Sequence, residues 1–523
     1  MQALTLSVMY GLFADDSNSL NVVIRQVNAL CSLVKTSGLN KVNFQLSDPA
    51  HLDEISYNNF IRYESTIRTV HTITHITSLL SALYNICPAL RTDDIFIDMP
   101  CASTLWNTKT LQDFNGILKD FDFQSANYKY VLSQLLLHGS NGNENTGFLD
   151  ARNFMSNYHV GDYGLICLQN GLQQISYFKT WSDGSRIFDE HEVTSKLKSV
   201  FANWNLLISL FHFNGNSEIY NDSMMMNSYF SIKILGLVKL EQVKQQVWLR
   251  DFHTTNLLFC ENLMYPKGAF DNSEFFQDAM LSVESTIQIF KILFFQGSTH
   301  FFESMKVVQC DIFKTDISSL ADICGLGHDI DQLNMNIESK ILIDTQILYD
   351  AFLALCKFVT NFESHFKQTL QLHNLLPSES LSYCDFSIQN NGEGDDNILH
   401  LLPEQRELMM YGWYLKIFKV YLCLEHFLKI NYDYQDFEGE FPSPVIHKIL
   451  GERKGHDNSS LVIKEMKPII GELIQFRLPC KLLKLGSFMF NFFYDKYSKF
   501  MIFKQLGESL FHLRIYLENQ EIV

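Results

Sequence analysis

Two histidines, His71 and His75, stand four residues apart. On a helix that spacing puts both imidazoles on one face, where two ring nitrogens can share a zinc ion. Zinc hydrolases with this spacing need a glutamate directly after the first histidine. Thr72 occupies that place here, and no third ligand lies nearby in the sequence. The pair is therefore read as two partly exposed histidines on the less apolar side of a helix. Glu64 and Arg68, at the same spacing one turn earlier, can pair on the helix surface or anchor a neighbouring loop.

Asp93, Asp94 and Asp98, in DDIFID, form the second constellation. Helical isoprenoid synthases use Asp-rich motifs to hold magnesium against a diphosphate, with the carboxylates projecting from a helix into a cavity. These three lie between Pro88 and Pro100 and alternate with Ile95 and Ile97, as in an extended segment. No second Asp-rich motif is evident, so the structural reading is a turn. Gly325 and Gly327 form a Gly-x-Gly without the third glycine of a dinucleotide site, and no Gly-x-Ser-x-Gly or Walker-type Gly-Lys-Ser/Thr occurs. Asp189, Glu190, His191 and Glu192 read as a solvated helix N-terminus. Met224, Met225 and Met226, with Phe488, Phe490, Phe492 and Phe493, read as core, an apolar effector pocket being the alternative. The chain is read as non-enzymatic.

These residues need elements to hold them. Phe60, Tyr63, Ile67, Val70, Ile73, Ile76, Leu80, Leu83 and Tyr84 recur every three or four positions, which predicts a long amphipathic helix ending near Cys87, before Pro88. An extended segment to Pro100 follows, then a helix from Ala102 to Trp106. Two helices, Leu4 to Phe13 and Val22 to Val34, precede it, with Asp15, Asp16 and Ser17 as capping residues between. Further helices are expected at Leu111 to Phe123, Tyr128 to His138, Val193 to Phe213, Met224 to Phe259 and Phe270 to Phe295. The last carries Phe275, Ala279, Val283, Thr286, Ile287 and Phe290 on one stripe. Asp316 to Cys324, Ile337 to Leu355, Phe358 to Leu375, Glu404 to Ile430, Val462 to Phe476 and Leu482 to Leu517 complete the set. Gly139 to Gly147 is a linker or surface insertion, and Asn153 to Trp181 stays open between a short strand at Tyr163 to Leu168 and a helix through Gln174 to Trp181. The fold class is all-α: an irregular bundle of antiparallel helices with no substantial sheet. Three parts are expected: 1–376, a polar linker at 377–403, and a C-terminal helical region at 404–523 that packs on the first.

Composition supports a large core, with 46% hydrophobic residues and 43 Phe against 10 Pro and 25 Gly. The net charge of −17 sits almost wholly before residue 404, so direct binding of nucleic acid is not expected. Eleven cysteines, no two closer than fourteen positions, form no metal or redox pair. The N-terminus lacks a basic n-region, and Asp495, Lys496 and Lys499 interrupt the most apolar run, so a soluble intracellular chain is expected.

The stretch from Tyr57 to Trp106 resembles the regulatory domain of fungal-specific transcription factors, the middle homology region. In that family a long helix carries aromatic-Ile-x-x-Glu-x-x-x-Arg-Thr, matched by Phe60, Ile61, Glu64, Arg68 and Thr69. A Pro-x-Leu turn, an acidic residue, a Pro-Cys pair and a Trp follow, matched by Pro88, Leu90, Asp94, Pro100, Cys101 and Trp106. Met99 and Ser103 depart from the pattern. The look is closest to members with paired Cys/His zinc fingers. The resemblance implies a nuclear regulator of RNA polymerase II transcription, working through protein partners of the transcription machinery or through its DNA-binding module. Zinc is then expected only in that module, upstream of Met1, so that this chain is a fragment or a shortened relative. A homodimer stays open. The competing reading is a helical scaffold without a transcriptional role, and an isoprenoid-synthase-like enzyme comes third.

Overall fold

Helix α3, Glu54–Tyr84, begins where the Asp53 carboxylate accepts the Ser56 N–H at 2.8 Å, a standard N-cap. It ends at Asn85, in the left-handed region at φ 54°, whose N–H donates to Ser81 O. Asn is one of the few residues that tolerate this conformation, so the stop comes before Cys87 and does not depend on Pro88. The computed structural model describes residues 1–12, 17–42, 53–119, 126–138, 160–182, 250–266, 268–294, 341–375, 403–432, 459–496 and 501–519, with single residues at 200, 204, 243, 247 and 434. Among them the protein is all-α, and its one β pairing is an isolated antiparallel bridge, Asp98 to Asn127.

The chain divides into two compact units. The first comprises Met1–Asp251, Lys340–Ile347 and Phe490–Leu506. It holds α1 (Gln2–Leu12), α2 (Ser17–Thr36), α3, α4 (Ser103–Trp106), α5 (Leu111–Lys119), α6 (Tyr128–His138) and α7 (Asp162–Ser182). Helices α1 and α2 pack on each other and on α3, while α7 packs on α3 and α6. With neighbours on several sides, α3 is buried almost all round from Val70 to Tyr84, including Thr74, Thr77 and Ser78. Thr74 and Thr77 survive there by returning their hydroxyls to Val70 O (3.0 Å) and Thr74 O (2.8 Å) of their own helix. The amphipathic reading of α3 therefore holds only for its first half.

The second unit comprises Phe252–Ser339, Leu348–Met489 and Gly507–Val523. Its elements are α8 (Phe252–Glu261), α9 (Ser273–Phe294), α11 (Pro403–Tyr432) and α12 (Ser459–Ile474), with parts of α10 (Ile341–Leu375), α13 (Leu478–Lys496) and α14 (Met501–Asn519). Aromatic rings fill it: Phe362 stacks on Tyr414 at 4.5 Å and Phe290 meets Phe352 edge-on at 5.0 Å. On α9, Ala279, Val283, Thr286, Ile287 and Phe290 are buried and Phe275 half-buried.

Three expectations change. The helices expected at Ile337 to Leu355 and Phe358 to Leu375 are one helix, α10, because no Gly or Pro separates Leu355 from Phe358. Leu482 to Leu517 contains two, α13 and α14. The open choice at Tyr163 to Leu168 resolves to helix: Leu165, Leu168 and Leu172 are buried at helical spacing. Asp15 and Asp16, the Gly139 to Gly147 loop, Asp189 to Glu192, Met224 to Met226, Gly325, Gly327 and the 377–402 part of the linker lie outside the described residues.

Two helical glycines give opposite expectations. A Cβ at Gly171 would stand 2.6 Å from the Tyr128 hydroxyl and 2.9 Å from Leu132, whereas one at Gly116 meets nothing within 4 Å. Gly171→Ala is expected to destabilise by about 1–3 kcal/mol through overpacking, and Gly116→Ala to stabilise by about 0.5–1 kcal/mol. Chemical denaturation of the two variants measures both signs.

Candidate functional site

Glu64, Arg68, Cys101 and Trp106 meet at one point of the chain. Position i+4 on α3 brings Arg68 beside Glu64, and its Nε donates to Glu64 Oε1 at 2.7 Å. The same carboxylate oxygen accepts the Cys101 N–H at 3.1 Å, and Arg68 Nη2 donates to the Cys101 carbonyl at 2.9 Å. The helix thus holds both backbone polar groups of Cys101. Glu64 is only 2% exposed. Burial raises its carboxyl above the ordinary range against the pull of Arg68 and the Cys101 N–H, so its charge depends on those donors.

Aromatic rings flank the guanidinium, Trp106 at 4.7 Å and Tyr163 at 5.1 Å. The Tyr163 hydroxyl, from α7, donates to Arg68 O at 3.1 Å and shares a hydrogen bond with Thr72. Below the anchor, Phe60, Cys101, Leu105, Phe114 and Leu118 form a buried cluster, with Ile61 and Trp106 packed against it. Gly161 lets α7 approach this segment, since a Cβ there would lie 3.1 Å from the Ala102 Cα. Burial pushes the Cys101 thiol well up, so it stays protonated.

The remaining motif residues serve the return of the chain from α3. Thr69 bonds back to Ser65 O and receives Gln2 Nε2 at 3.3 Å. Pro88 and Leu90 are buried. Gln174 of α7 donates to Leu90 O at 3.1 Å and accepts the Thr92 N–H at 3.0 Å. Asp94 closes a 3-10 turn, Thr92–Asp94, by accepting the Arg91 N–H, and pairs with Lys35 at 2.6 Å. Lys35 and the Arg91 N–H hold its carboxyl below the usual range, against partial burial.

The two metal constellations do not converge. Asp93 faces Lys129 at 3.6 Å, Asp94 faces Lys35, and Asp98 is buried, accepting the Tyr63 hydroxyl at 2.8 Å. His71 is not partly exposed, as the sequence pattern implied, but 2% exposed. The helices around α3 cover the side that reads as less apolar. Its ring lies edge-on to Tyr128 at 4.9 Å, with Nε2 3.4 Å from Asp98 O, while His75 turns to Asn170 on α7 at 3.0 Å. Phe493 packs on both Phe490 and Phe492, and Phe488 packs on Tyr434.

Tyr163, Gln174, Tyr128 and Asn40, whose side-chain amide donates to Asp94 O at 2.6 Å, carry much of this geometry, and the sequence pattern marks Tyr163 and Tyr128 only as segment bounds. They lie far along the chain from α3 or Pro100, and no local spacing marks them. No protein-family model matches the chain, and no solved structure matches it. Among the described residues no helix is long and apolar enough to cross a membrane.

Two measurements test this account. Arg68→Met leaves a buried carboxylate without its cation and is expected to cost about 3–5 kcal/mol. Glu64→Gln with Arg68→Met should cost less than the sum of the two single changes, and additivity in the double-mutant cycle would contradict the coupled anchor. The second concerns pH. Burial lowers the His71 pKa from 6.5 to about 4, so the folded state excludes a proton that the unfolded chain takes up. Its stabilising effect is complete above pH 6.5 and is lost as pH falls towards 4, by roughly 3 kcal/mol. His75 shifts in the same direction. Thermal melts from pH 7 to 4 should therefore fall less steeply for His71→Gln than for the parent.

Proposed function

We propose that this chain is the regulatory, non-DNA-binding part of a fungal transcription factor, controlling RNA polymerase II transcription in the nucleus. It acts through contacts with protein partners or with a DNA-binding module, which would carry any zinc, and performs no catalytic step of its own. One observation carries the reading. Phe60, Glu64, Arg68, Cys101 and Trp106, separated along the sequence, gather at a single anchor where α3 grips the Cys101 peptide. Each conspicuous motif side chain thereby has an architectural task, and the resemblance gains a reason for its spacing. The net charge of −17 fits contacts with proteins better than contacts with a phosphate backbone.

A reporter assay tests the proposal. The chain is fused to a DNA-binding module that has no regulatory activity of its own, and transcript is measured from a promoter carrying that module's site in fungal cells. Transcription should differ clearly from that with the module alone, and Arg68→Met should remove the difference. Equal transcription with and without the chain would sink the reading. So would tight, sequence-selective binding of duplex DNA by the isolated chain.

A further inference from the structure

The second unit contains a cavity of about 380 Å³ that the anchor does not explain. This is within the size range of small-molecule sites, roughly 300–1,000 Å³. Its walls are the buried side chains of Phe270, Phe362, Phe366, Met410 and Tyr411. Phe362 and Phe366 are near-parallel at 6.2 Å, and Tyr411 stands edge-on to Phe362 at 6.0 Å. Rings disposed in this way offer both a face and an edge to a planar guest.

Charge at the cavity is uneven. Glu407 is already matched: its Oε1 takes the Tyr411 hydroxyl and lies 3.0 Å from Lys467 Nζ. Arg406 is not. Its Nη1 donates to the Asp271 carbonyl at 2.5 Å, a neutral acceptor, and its buried Nε has no hydrogen-bond partner. A guanidinium with an unused N–H beside an aromatic cavity calls for an anionic acceptor, and a carboxylate matches its planar fork.

We infer that this cavity binds a small planar aromatic carboxylate, with the ring among Phe270, Phe362, Phe366 and Tyr411 and the carboxylate on Arg406. The site is distinct from the α3 anchor, and its occupancy does not depend on the transcriptional reading. A ligand of this class would tie together the 3-10 turn Ala269–Asp271, α10 and α11 through the residues that line the cavity.

Isothermal titration calorimetry of the full chain tests this with 2-naphthoate as probe and 2-naphthalenemethanol as its neutral counterpart. The acid should bind at least about tenfold more tightly than the alcohol, and Arg406→Met should bring the acid down to the alcohol's level. Thr369→Trp, which adds bulk at the cavity without removing Arg406, should abolish binding of both. Absence of naphthoate binding at millimolar concentration overturns the inference, as does equal affinity for acid and alcohol. Affinity unchanged in a folded Arg406→Met chain does the same. If Arg406→Met fails to fold, the acid and alcohol comparison and Thr369→Trp decide: undiminished naphthoate binding in the tryptophan variant places the probe elsewhere and overturns it.

Discussion

A carboxylate almost fully removed from water must either find donors or give up its charge, and the first unit is organised around the first solution. Glu64 sits at 2% exposure on α3. Arg68 supplies one donor from the next turn of the same helix, but a buried carboxylate needs more than one. The second is the N–H of Cys101, which reaches Glu64 only if the chain turns back along α3 after leaving it. The constraint runs both ways, since the Cys101 carbonyl in turn needs Arg68. The path from Asn85 to Ala102 is thus required by electrostatics as much as by apolar packing.

The path itself would leave its backbone groups unmet if nothing lay beside it. Extended chain at the interior has no ladder of its own, and the single bridge to Asn127 satisfies only part of it. Side chains complete the account. Gln174 serves Leu90 and Thr92, the Asn40 side-chain amide donates to Asp94 O while its backbone carbonyl accepts the Phe96 N–H, and the Tyr177 hydroxyl reaches Asn85 O. These partners come from α7 and from the turn after α2, which explains why both elements pack on α3. Buried polar groups here fix position, because each can be satisfied by one arrangement of its neighbours only.

This division between local and distant partners sets how much of the structure can be read from the sequence. Helix existence was legible in much of the described chain: α6 runs from Tyr128 to His138, as its pattern predicts, and five of the six stripe residues on α9 are buried, with Phe275 half-buried. The pairing of Glu64 with Arg68 was legible too, since i and i+4 on a helix are neighbours by geometry. What spacing could not supply was the other half of each contact. Nothing in the local sequence ties Tyr163 to Arg68 or Gln174 to Leu90. The burial of His71 failed to appear for a related reason: a polar residue reads as exposed until the helix that covers it is known. The second half of α3 mixes threonine, serine and histidine with isoleucine, which weakens the amphipathic signal while the threonine hydroxyls bond within the helix.

The second unit solves the buried-carboxylate problem differently, and the contrast shows what the anchor achieves. Glu363, on α10, is also 2% exposed, yet it meets no guanidinium. The Tyr414 hydroxyl donates to its Oε1 at 3.0 Å, and Oε2 has no partner. Burial pushes its carboxyl up to about 8 against the pull of the Tyr414 hydroxyl and the Lys367 charge, which favours the neutral acid. A neutral acid imposes little on the chain around it, because it does not demand that a distant backbone segment arrive to share its charge. Glu64 does impose that demand. Two glutamates of equal burial therefore play unequal parts: one is tolerated within an aromatic core, while the other dictates a chain path. Glu64 accordingly gathers donors from two parts of the chain, Arg68 on α3 and the Cys101 N–H beyond it, whereas Glu363 accepts from Tyr414.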